Sequence, residues 1–171
     1  GDVYKRQGLE IANFAKHEFK GTGARDFLNH ILAGYMPKPG RLALTPMLTP
    51  KGKLYGDLTV ACLAEDHFML FGSGAMQEAH RRWFEKDLPA DLAYVNASDD
   101  WHGIALSGPK SRELVARITR DDVSAEAFKF RDVRQTFVGG VPVIINRISF
   151  SGELGYEIYC KPQYLMRLAD S

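Results

Sequence analysis

The sequence predicts an α+β fold: antiparallel sheets with flanking helices. Three observations carry this expectation. Strand-like segments occur as neighbours joined by short turns, Thr49-Pro50-Lys51-Gly52 and Gly139-Gly140. Amphipathic segments of helical spacing intervene between the strand groups. The 171 residues, 45% hydrophobic and 25% charged, have the composition of an ordinary globular protein able to bury a core.

Gly1 to Gln7 shares no periodicity with the neighbouring segment and reads as a non-native remnant, which leaves 8–171 as one domain. Thr22 to Ala33 spaces Phe27, Leu28, Ile31 and Leu32 at helical intervals, with Gly34 as a stop. Two prolines in Met36 to Gly40 break the chain. Arg41 to Leu48, Lys53 to Leu63 and His67 to Gly72 then read as an antiparallel meander. Ser73 to Leu88 places Met76, Ala79, His80, Trp83 and Phe84 on a second helix, with Ser73 as N-cap. Leu92 to Asn96 and Gly103 to Ser107 are short strands, and Gly108-Pro109 opens a third helix through Leu114, Val115 and Ile118. Val133 to Val138 and Val141 to Ile148 form a hairpin that runs into Arg147 to Tyr159, RISFSGELGYEIY. A last helix begins near Pro162 and stops in mid-pattern, so the domain is expected to be truncated at its C-terminus.

Lys and Arg total 22 against 21 Asp and Glu, so no broad positive field exists to gather nucleic acid. Cys62 and Cys160 stand apart in apolar strands and read as buried thiols of a reducing compartment, here the cytoplasm, although a missing N-terminus could hide an organelle signal. No apolar run approaches the roughly 20 residues that cross a bilayer. The five histidines have no metal-ligand spacing, and no metal is expected. Ser107-Gly108-Pro109 is not a nucleophile elbow, Gly72-Ser73-Gly74 lacks the lysine of a phosphate loop, and no G-x-G-x-x-G follows a first strand.

Chemistry concentrates in two places. Glu153 and Glu157 lie among strand-forming aromatics around Gly152 and Gly155. A carboxylate held on a sheet accepts two parallel hydrogen bonds, which suits a flat heterocycle with adjacent N–H donors, as a pterin has. A plain hairpin with exposed glutamates fits the same letters. Asp57, in LYGDLTVACL, shares a strand face with Thr59 and Ala61 beside the small Gly56, either as a ligand-facing acid or as a solvated strand end. Tyr55 is near enough to line the same site, its side chain alternating with Gly56. Met47 and Leu48 line a pocket or belong to the core. Arg147 and Arg41 each meet a ligand carboxylate or pair with a nearby acid.

Four blocks in order, GLEIANFAKHEFKGTGARDFLNHIL, GRLALTPMLTPKGKLYGDLTV, ALSGPKSRELVARIT and RISFSGELGYEIY, give the chain a closer identity. From Gly8 to Ser171 it resembles the tetrahydrofolate-binding domain of dimethylglycine and sarcosine dehydrogenases, within the aminomethyltransferase family of the glycine cleavage T-protein. The resemblance implies a T-protein-like fold and one-carbon transfer onto tetrahydrofolate. The carbon would come from N-methyl amine oxidation on FAD in a separate N-terminal domain, captured as 5,10-methylenetetrahydrofolate. It implies Asp57 as the acid near the reacting folate nitrogens and Glu157, ahead of Glu153, as the pterin-binding carboxylate. Phe150 stands where relatives often carry Tyr, able to stack but not to donate a hydrogen bond. Gly56 departs from the two successive acids usual in T-proteins and favours the dehydrogenase branch. The alternatives are a non-catalytic folate-binding module like the relatives that assist iron–sulfur protein maturation, and a T-protein itself.

Overall fold

The computed structural model describes residues 7–170. Six residues of the expected remnant therefore lie outside the described residues, while Gln7 opens the first strand, β1 (Gln7–Glu10). The chain divides into two compact units, one an insertion, Asn13–Ser98, and the other made of the flanking Gly1–Ala12 and Asp99–Ser171.

The inserted unit holds a five-stranded sheet of β2 (Ala15–Lys20), β3 (Arg41–Leu48), β4 (Leu54–Ala64), β5 (His67–Gly72) and β6 (Ala93–Asn96), in the order β3-β4-β5-β2-β6. All its pairings are antiparallel, and the expected meander is β3-β4-β5. One sheet face packs Phe19, Leu58, Val60 and Leu70 against Phe27 and Leu28 of α1 (Ala24–Ile31) and Phe84 of α2 (Gln77–Lys86). Helix α1 is shorter than Thr22 to Ala33 because Gly23 takes a left-handed φ of 94° at its start and Leu32 is already extended at its end. Gly34, expected as the stop, serves packing instead, since a Cβ there would come 2.8 Å from Thr45 Cγ2. Ser73 makes no capping bond; a 3₁₀ turn, Gly74–Met76, leads into α2. Strand β2 was absent from the sequence expectation.

The flanking unit holds a second antiparallel sheet, β1-β7-β10-β9-β8, of β7 (His102–Ser107), β8 (Val133–Val138), β9 (Val141–Asn146) and β10 (Gly155–Cys160). One face packs Val143, Ile145, Tyr156, Ile158 and Cys160 around Phe128, Val115 of α3 (Ser111–Ile118) and Leu168 of α4 (Leu165–Ala169). The hairpin turn is the expected Gly139-Gly140, both at positive φ. Strand β9 stops at Asn146, two residues short of Ile148, and the chain loops before returning as the middle strand β10. Both cysteines are buried and free. Among the described residues no helix is long and apolar enough to cross a membrane.

Candidate functional site

The strand period of two sorts β10 cleanly. Tyr156, Ile158 and Cys160 enter the core, so Glu157 and Tyr159 stand on the opposite face. Opposite Glu157 are Asn146 on β9 and Ala105 on β7; opposite Tyr159 are Ile144 and Gly103. Glycine at 103 makes room for the tyrosine ring, because a Cβ there would lie 2.7 Å from Tyr159 Cε1. The fully buried Tyr159 donates its hydroxyl proton to Glu157 Oε2 at 2.9 Å. Burial pushes the Glu157 carboxyl up, against the opposing pull of the Tyr159 hydroxyl and of the nearby Asn146 amide. That amide is itself buried with neither its nitrogen nor its oxygen in hydrogen-bonding geometry. A half-buried acceptor beside an unsatisfied amide has unused hydrogen-bonding capacity facing one spot.

The preceding loop separates the other candidates. Glu153 is exposed, its carbonyl accepting from the Ser149 hydroxyl at 2.7 Å. Phe150 is 99% exposed and packs on nothing. Arg147 is engaged within the loop, donating to the Gly155 carbonyl at 3.2 Å with its guanidinium 5.4 Å from the Tyr156 ring centroid. Burial pushes that guanidinium down.

In the inserted unit, Asp57 is exposed on β4 opposite Pro46, while its neighbour Leu58 is fully buried in the core. The expected alternation of Tyr55 with Gly56 is corrected by a β-bulge. Register passes from Met47↔Gly56 to Leu48↔Leu54, so Tyr55 is the extra residue. Its ring packs 4.6 Å from that of Trp83 and its hydroxyl donates to the Ala79 carbonyl at 3.5 Å, both on α2, rather than sharing the Asp57 face. Met47 is wholly buried in the core; Leu48 is 37% exposed.

His80, placed on the second helix by its apolar spacing, is one of a buried histidine pair. His17 on β2 and His80 on α2 have ring centroids 6.1 Å apart, packed with Phe84 and Tyr94. His17 Nδ1 lies 2.9 Å from the Tyr94 hydroxyl, and His80 Nε2 would touch a Cβ on Gly56 at 2.7 Å. Burial, then the neighbouring His80, drives His17 down to about 3. Both rings are therefore neutral packing elements at neutral pH. The detectable signal was His80 at the apolar spacing of α2; nothing in AKHEFK marked His17. Among the described residues no three His, Cys, Asp or Glu side chains are placed to hold a metal.

A cavity of about 440 Å³ opens on the other face of the flanking sheet, lined by Ile104, Leu106, Ile118, Ile158 and Leu165, with Glu10 its one acid. It is apolar and lies on the face away from Glu157.

The family model described as the GCVT N-terminal domain matches residues 5–171. The chain belongs to this family. It is 32% identical to the mitochondrial dimethylglycine dehydrogenase of Homo sapiens, across 95% of this chain and 19% of the relative. It is 28% identical to an aminomethyltransferase of Halothermothrix orenii, across 90% of this chain and 43% of that one. The fold matches the glycine cleavage system aminomethyltransferase T from Bartonella henselae with a TM-score of 0.85 at 21% identity, covering 97% of this chain and 45% of the other. This GCVT-type chain thus spans less than half the length of these relatives. The resemblance read from its four sequence blocks and the α+β fold it implied both hold.

Proposed function

We propose that the GCVT-type region, residues 8–171, is a tetrahydrofolate-binding domain for one-carbon transfer, part of a flavoprotein that oxidises N-methyl amines such as dimethylglycine or sarcosine. The observation that carries the reading is Glu157, a half-buried carboxylate on the middle strand, fixed by Tyr159 and flanked by the unsatisfied Asn146. Such an acceptor fits the adjacent N–H donors of a pterin edge. When bound, tetrahydrofolate supplies nucleophilic nitrogens that take up the carbon, with 5,10-methylenetetrahydrofolate as product. Glu157 holds and orients the ring. Asp57, exposed on β4, holds or accepts a proton and balances positive charge near the transferred carbon. Phe150, free in solvent, is available to stack on a ligand, and Glu153, Arg147, Leu48 and Tyr55 have supporting roles at most. FAD belongs to a separate dehydrogenase domain of the parent protein.

The likeness to dimethylglycine dehydrogenase over nearly the whole chain supports the dehydrogenase branch. Relatives named as enzymes favour catalysis over a purely binding module. Buried free thiols suit a reducing compartment, the cytoplasm or the mitochondrial interior.

Anaerobic calorimetric titration with tetrahydrofolate tests the reading. Glu157→Gln is expected to weaken binding at least tenfold, the loss of a charged acceptor; equal affinity in the variant would remove the pterin role. Asp57→Asn is expected to retain binding while lowering methylenetetrahydrofolate formation by the parent enzyme by roughly 10²-fold. Unchanged transfer would remove the catalytic assignment.

A further inference from the structure

A glutamate has three side-chain torsions, and a recognition carboxylate left free to sample them spends binding energy on becoming ordered. Glu157 is ordered in advance through a chain of contacts starting on another strand. Gly103, opposite Tyr159, leaves its Cβ position to the tyrosine ring, which would otherwise meet that atom at 2.7 Å. The ring is completely buried, and its hydroxyl reaches back two residues along β10 to Glu157 Oε2 at 2.9 Å. We propose that Tyr159, seated on Gly103, is a positioning residue: its hydroxyl fixes the Glu157 carboxylate in the orientation that receives the donor edge of the bound heterocycle.

The direction of this hydrogen bond is set by chemistry. Burial and the adjacent carboxylate raise the Tyr159 phenol well above its ordinary range, so it remains protonated and donates. Oε2 gives up one lone pair to the phenol, and the other lone pairs of the carboxylate are left for the adjacent Asn146 amide and for ligand N–H groups. Glu157 faces Asn146 across one strand boundary and Ala105 across the other. Neither titrates, so Tyr159 is the ionisable group bonded to this carboxylate, and a change in its titration reports on that hydroxyl.

The role of Tyr159 rests on the proposed folate site, and two readouts separate the assignments. The first is the carboxyl titration of Glu157, followed by ¹³C NMR in the ligand-free protein and in Tyr159→Phe. The second is tetrahydrofolate affinity for wild type, Tyr159→Phe, Glu157→Gln and the double variant. Tyr159→Phe is expected to move the Glu157 carboxyl to higher pH and to weaken binding about tenfold to a hundredfold, with little further loss when Glu157 is already Gln. Gly103→Ala, which displaces the ring but keeps the hydroxyl, is expected to move the carboxyl the same way and covers the case in which Tyr159→Phe fails to fold. An unmoved Glu157 titration in a folded variant overturns the positioning role, as does an equal loss of affinity in both backgrounds. If Glu157→Gln alone leaves affinity intact, the folate reading fails, while the titration still decides whether Tyr159 holds the carboxylate.

Discussion

Gly56 shows how much a single missing side chain contributes beside a candidate acid. A Cβ at this position would lie 2.7 Å from His80 Nε2 and 3.2 Å from Met47 Cε, both fully packed. Gly56→Ala is therefore expected to cost about 1–3 kcal/mol of stability through overpacking. Urea unfolding checks this, and combination with His80→Ala should recover part of the loss, because the two residues compete for one volume. The same residues mark the limit of what letters alone reveal. Asp57 and Glu157 were legible as candidates because an acid in a strand pattern stands out, and the period of two gave the face of Asp57. The direction of Tyr55 was not, because a bulge shifts parity without leaving a mark in LYGDLTV. Tyr159 stood on the same face as Glu157 by simple alternation. The room for its ring comes from Gly103, 56 positions earlier in sequence and visible only once β7 lies beside β10.

At the scale of elements, helices and the meander strands were readable because each buries one face against a core and keeps that face in its periodicity. Strand β2 was unreadable for the opposite reason. It lies between β5 and β6 and buries Lys16 and His17 together with Ala15 and Phe19, so polar letters occupy interior positions. Helices α1 and α2 begin two and four residues later than expected because a left-handed glycine and a 3₁₀ turn, not side-chain caps, set their starts. Packing of α2 supplies an element-level test. Phe84 is wholly buried and meets the rings of Phe19, His17 and Tyr94 at centroid distances of 5.2, 5.0 and 5.8 Å. Phe84→Ala is expected to cost about 3–5 kcal/mol, whereas Phe137→Ala, on the exposed side of β8, should change stability by no more than about 0.5 kcal/mol. Chemical denaturation of the two variants in parallel checks the contrast; similar losses in both would contradict the burial assigned to them.

Over the whole molecule, 22 basic side chains nearly balance 21 acidic ones, so moderate acidification adds little general repulsion. The pH dependence of stability should instead come from particular buried groups, above all His17. Its imidazole is held at about 3 in the folded protein, by burial first and His80 second, against 6.5 when solvated. Between these values the unfolded chain binds the proton and the folded chain does not. Stability from this group is therefore complete above about 6.5 and is lost as pH falls toward 3. His80, also lowered by burial, acts in the same direction. Glu18 leaves the upper part of this window to the histidines, because the His67 hydrogen bond, its leading influence, helps hold it at about 2, and its contribution is lost only as pH falls below 4.5. From pH 7 to pH 5, His17 alone should remove about 2 kcal/mol. Urea midpoints at pH 7, 6 and 5 are expected to fall steadily in wild type and much less in His17→Phe, which fills the same space without a site to protonate. A wild-type midpoint that stays flat across this range would mean that the imidazole is not held neutral in the folded core.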